Sequence, residues 1–323
     1  GRGDLEAARA ALKRAEEIDP IDRDVLLFRG ALHMRTGELD VAETAVEAVV
    51  EHHGDDPIAL YSAAGMILDL DGDPEDALSL AEEADSLFED MEIDPEDEEA
   101  ARETRVDILS LVSECRLGVG DRTGAQAAAE QAVKLGGEHA GAYTALGRAT
   151  FARGQLTDAK KAFTRALELD AEEGEVAWNL GWVNRLLGND KAADTAFVHA
   201  ARIDAEVFPL PGEFTEAFLR EVTSDIAVAL ESPFDDMLRD VPVVIADLPE
   251  VELDGERGPM AVVRVERESA AEDAPIKRLY VYRRNVEVMA NDADAAVGVL
   301  EAAIVDELTG LVDVDELLGD EPS

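Results

Sequence analysis

The stretch Leu146-Gly147-Arg148-Ala149-Thr150-Phe151-Ala152-Arg153-Gly154-Gln155-Leu156-Thr157-Asp158-Ala159-Lys160-Lys161-Ala162-Phe163-Thr164-Arg165-Ala166 decides the fold. Steps of four and three residues place Ala159, Phe163 and Ala166 on one face of a helix. The turn Arg153-Gly154-Gln155 is short, so that helix runs back against the one carrying Leu146 and Gly147. The same frame returns 34 residues later as Leu180-Gly181, Ala193, Phe197 and Ala200, with Leu187-Gly188-Asn189 as the turn.

Working outward, small residues recur at Ala8, Ala42, Ala77, Ala125, Ala159 and Ala193, at intervals of 34, 35, 48, 34 and 34. Twelve residues before five of them stands Gly30, Gly65, Ser113, Gly147 or Gly181. Paired helices of about 12–15 residues with short Gly-containing turns are predicted. One such pair cannot bury its own apolar face, so the pairs must stack. The 48-residue interval holds 14 extra residues at Glu89–Glu103, rich in Asp and Glu. They lack the spacing of a calcium loop and read as a solvated acidic loop.

Composition narrows the function. The 323 residues carry 74 acids and 29 bases, a net charge of -45, which repels nucleic acid and an anionic membrane surface. The excess is spread along the chain: 46 acids and 20 bases lie in residues 1–212, and 28 and 9 in 213–323. That pattern reads as the habit of a salt-adapted organism rather than as one acidic site. A single cysteine, Cys115, excludes an intrachain disulfide and a Cys-built zinc site. No P-loop, nucleophile elbow or dinucleotide fingerprint is present, and no cofactor is called for. The chain begins Gly-Arg-Gly-Asp without Met or a signal peptide, which reads as a fragment whose true N-terminus is missing, with a cytoplasmic location expected.

The helical part resembles the tetratricopeptide repeat, in which Leu-Gly falls late in the first helix and Ala, an aromatic and Ala follow in the second. Residues 146–166 and 180–200 match this closely, and Pro20 closes a truncated first unit as that pattern expects. The resemblance implies a mainly α protein. It further implies a right-handed α-solenoid of five full helix pairs plus a leading half over 1–205, whose first helices would line a groove for a protein or peptide partner. Projecting the frame onto that groove selects Arg35, Met66, Arg148, Phe151, Trp178, Asn179, Trp182 and Arg185. Trp and Arg are the residues that most often dominate binding. An alternative reading covers both tryptophan rings with the domain that follows.

After Phe208-Pro209-Leu210-Pro211-Gly212 the pattern changes. Phe214, Phe218, Val222, Ile226 and Leu230 mark an amphipathic helix. Residues 241–247, 260–265 and 278–282 read as strands, and a last helix, capped by Asp292 or Asp294, carries Val297, Leu300, Ile304, Leu308 and Leu311. This small α+β domain, 206–323, resembles a minimal zincin-like metallopeptidase family through 218–249, 279–286 and 305–317. That family carries H-E-x-x-H on its last long helix, so the resemblance places Asp306 and Gly310 at the two His positions and Glu307 at the general base. Gly310 has no ligand atom, and no His or Cys follows position 199. A hydrolytic zinc takes about three protein ligands. The expected function is a non-enzymatic adaptor with a pseudo-metallopeptidase domain. The alternatives are a peptidase with a carboxylate-bound metal, or a second domain that caps the solenoid.

Overall fold

The computed structural model describes residues 2–94, 96–249, 260–269 and 274–311, with side chains from residue 5. They form two compact units, Gly1–Ala171 and Glu172–Ser323.

The first unit is built from α1 (Arg2–Glu16), α2 (Arg23–Thr36), α3 (Leu39–His53), α4 (Pro57–Asp69), α5 (Pro74–Glu89), α6 (Glu98–Gly118), α7 (Arg122–Gly136), α8 (Ala140–Ala152) and α9 (Leu156–Leu169). The starts are written in the sequence. Asp22, Asp56, Asp73 and Asp121 each accept a hydrogen bond from a backbone N–H of the first turn, and Pro57 and Pro74 occupy first-turn positions where no N–H is missed. Between the paired helices, Gly37, Gly120 and Gly154 take φ of 74°, 80° and 71°, a left-handed geometry that glycine adopts without a Cβ penalty.

The frame residues Ala42, Ala77, Ala125 and Ala159 are fully buried, as the assigned register requires. Gly147 shows why the first helix needs a glycine. A Cβ there would lie 2.5 Å from the ring of Phe163, so the aromatic of the second helix rests directly on bare backbone. First helices also touch one another in sequence, α2 on α4, α4 on α6 and α6 on α8, which makes one continuous face.

The insertion departs from expectation. Only part of it is loop: α6 begins at Glu98 and runs 21 residues, so the remainder lengthens that helix at its N-terminus. Arg105 accounts for the extension. It bonds Asp85 at 3.1 Å and also Glu89, tying the added turns to α5.

The second unit opens with one more helix pair, α10 (Gly174–Leu186) and α11 (Asp190–Ile203). Ala193 is fully buried, and Gly181 meets the ring of Phe197 as Gly147 meets Phe163. Then follow α12 (Glu216–Ala229), α13 (Phe234–Leu238), β1 (Val243–Ala246), β2 (Val263–Arg267), β3 (Ile276–Tyr282), α14 (Arg283–Met289) and α15 (Ala293–Thr309). The sheet order is β1-β3-β2. β1 runs parallel to β3 with Val243 opposite Leu279, and β2 runs antiparallel with Val265 opposite Leu279. Its inner residues Val263, Leu279 and Val281 share a core with Leu219, Ile226, Leu300, Ile304 and Leu308. Asp292 caps α15 by accepting from the N–H of Ala295. The strands and long helices fall where the sequence placed them; α13 and α14 carry no signal strong enough to be read in advance.

Candidate protein-interaction face and the zincin-like positions

In the first unit the candidate residues lie on first helices. Arg35 is exposed on the last turn of α2. Met66 of α4 is half-buried, with its sulfur against the backbone of Gly30, and so joins two helices. Arg148 of α8 donates to Glu114 of α6 at 2.5 Å. Phe151 does not belong with them. It is 7% exposed and packs inside, because a ring of that size fills the space between helices instead of lining it.

A polar cluster crosses α4, α6 and α8 on this face. Asp107 and Glu114 stand two turns apart on α6. Burial raises the Asp107 carboxyl above its ordinary range, partly offset by His139. His139 caps α8, its Nδ1 accepting from the N–H of Ala142 at 3.4 Å and its Nε2 lying 3.4 Å from Asp107. Burial also raises the Tyr61 phenol, with Asp107 and Glu114 adding to the effect. Tyr61 and His139 were not singled out from sequence. Their offsets in the repeat frame differ from those of the other candidates, and only the packing of neighbouring helices brings them here.

The α10 residues lie in the second unit. Trp178 is half-buried, edge-on to Phe197 at 4.8 Å and beside Phe208 at 5.9 Å. Trp182 is fully buried and is not available to a partner in this conformation. Arg185, 11% exposed, bonds Asp194 at 3.0 Å and stacks over Phe197, so its charge is already paired within its own helix pair. Asn179 reaches back to Glu175 at 3.5 Å.

Asp306, Glu307 and Gly310 sit at the end of α15, and none of the comparisons below matches a metallopeptidase to them. Asp306 is exposed, and Gly310 ends the helix, also exposed. Glu307 is 6% exposed and accepts from the N–H of Val265 at 2.9 Å. β2 is an edge strand, so this carboxylate satisfies a backbone donor that no neighbouring strand reaches. The expected acidic end at 313–317 lies outside the described residues. Among the described residues, no three His, Cys, Asp or Glu side chains are gathered as a metal set, and no helix is long and apolar enough to cross a membrane.

Comparison with known proteins agrees with the helical frame. Family models described as tetratricopeptide repeat match residues 1–67, and residues 116–159 and 144–205. No curated protein matches the chain. Solved structures resemble it at low identity. PilW, described as a widely conserved type IV pilus biogenesis factor, is 20% identical over 62% of this chain and 87% of its own, with a TM-score of 0.49. Pseudomonas aeruginosa pilF is 13% identical over 63% and 86%, with a TM-score of 0.47. YrrB, titled a tetratricopeptide protein with an unusual peptide-binding site, is 18% identical over 61% and 93%, with a TM-score of 0.39. The buried frame alanines, the glycine-on-aromatic contacts and the matched models together show tetratricopeptide repeats at residues 1–67 and 116–205.

Proposed function

We propose that the repeat region, 1–205, is an adaptor that binds a segment of a protein partner, and that 206–323 is a zincin-like domain without peptidase chemistry. The observation that carries the first statement is the face shared by α2, α4, α6 and α8. Its half-exposed Leu27, Met34, Met66, Ser110, Thr144 and Arg148 mix apolar area with donors and acceptors. A net charge of -45 favours a protein partner over nucleic acid. The donor set supports the second statement, since Gly310 offers no ligand and Glu307 already holds a strand N–H.

The test begins with a partner captured by the intact chain and then measured calorimetrically. Arg35→Glu with Arg148→Gln, whose amide can still donate to Glu114, should weaken binding by about 2 kcal/mol or more while leaving the melting curve in place. Arg165→Glu, on the second helix α9, should change little. Equal affinity for all three proteins rejects the groove. For the second domain, metal analysis should find no stoichiometric zinc. Zinc lost on Glu307→Gln or Asp306→Ala would reject the pseudoenzyme reading.

A further inference from the structure

The α+β part of the second unit has a core of its own. Among the described residues that core draws nothing from α10 or α11. An ion pair joins the two. Arg284, at the start of α14, donates to Asp190, the first residue of α11, and Asp190 also lies 3.9 Å from Arg185. Arg284 is placed for this by its own backbone N–H, which donates to the carbonyl of Asp247 at 3.1 Å. Its neighbour Arg283 fixes the turn by bonding Asp247 at 3.0 Å and the buried Glu287 at 2.8 Å.

The linker supplies a second contact. Phe208 stands 34 residues after Gly174, where another first helix would begin, and lies against Trp178 and the backbone of Gly174. Pro209 and Pro211 keep the segment from continuing as a helix. Gly212 then pins it, donating to the carbonyls of Glu287 at 2.7 Å and Ala290 at 3.0 Å, in a space where a Cβ would lie 2.5 Å from the Ala290 oxygen. The fit is incomplete: a crevice lined by Val198, Ala201, Ala205, Pro209, Leu210 and Asn291 stays open beside it.

We propose that the α+β domain is latched onto the last helix pair by Arg284 and Asp190, with Phe208 as the cover over Trp178, and that opening the latch uncovers α10. A partly exposed ion pair and an aromatic contact are each weak enough to open without unfolding either side. The latch does not depend on the groove having a partner.

Both tryptophans of the chain lie on α10, so their emission reports the cover directly. Asp190→Asn and Arg284→Gln should each red-shift the emission and speed thermolysin cleavage on the amino side of Phe208 roughly fivefold, the factor that about 1 kcal/mol gives. The double variant should cleave no faster than either single one, because the pair acts as a unit. Arg284→Lys, which keeps the charge, should stay near the parent. Single variants that leave emission and cleavage unchanged overturn the latch. So does a double variant whose effect is the product of two independent ones.

Discussion

At the scale of single residues, the contact of glycine with phenylalanine makes the sharpest demand. Gly147→Ala places a methyl 2.5 Å from Phe163, and the clash is expected to cost about 1–3 kcal/mol in chemical denaturation. Gly65→Ala is the contrast. Nothing lies within 4 Å of the added carbon and the site is mid-helix, so a gain of about 0.5–1 kcal/mol is expected. Trp182→Ala, which empties a fully buried site, should cost about 3–5 kcal/mol and lower the melting temperature. Cys115 is buried and its thiol is pushed up to about 11, so an aromatic disulfide reagent at pH 8 should react only after denaturant is added. The residue scale is also where sequence reading fell short. Phe151 and Trp182 project onto the first-helix face by spacing alone, yet spacing gives a direction and not a depth. Both are large apolar rings, and the packing of neighbouring helices drew them inside.

Elements were more legible. Every paired helix, the three strands and α15 follow from small-residue spacing, capping Asp, turn glycine and β-branched runs, because these are local signals. The extension of α6 was hidden because its stabilisation is remote, resting on Arg105 and its carboxylate partners on α5. Of the candidate site, the first-helix positions of Arg35, Met66 and Arg148 were legible, while Tyr61 and His139 needed the packed neighbours. The first fully buried residue after the insertion is Val106. Deleting residues 90–103 should therefore restore the 34-residue interval and move the melting midpoint by less than about 4 °C. The cap of α4 carries a pH signature. Burial would raise the Asp56 carboxyl, but Arg23 and the N–H groups of Ala59 and Ile58 outweigh it and hold the group below its ordinary 3.8. A lowered carboxylate contributes stability that is complete above its unfolded value and is lost as pH falls through the folded one. Asp56→Ala should thus cost about 1 kcal/mol at neutral pH, with the difference from the parent shrinking below pH 4.

For the whole molecule, a charge of -45 acts on every residue through self-repulsion. Raising ionic strength from about 0.01 M to 1 M shortens the screening length from roughly 30 Å to 3 Å, so the melting midpoint should climb with potassium chloride. A flat response would mean that the paired arginines already neutralise the field locally. The glycine resting on its aromatic has another consequence at this scale. In α8–α9 and α10–α11 the key and its lock lie on the same 34-residue segment, with nothing borrowed from a neighbour. A stretch of gene cut at the turns and copied would bring a matched set with it, whereas one cut between Gly147 and Phe163 would mate a ring with whatever side chain the other half supplied. The chain can lengthen by duplication of whole pairs more readily than it can exchange single helices.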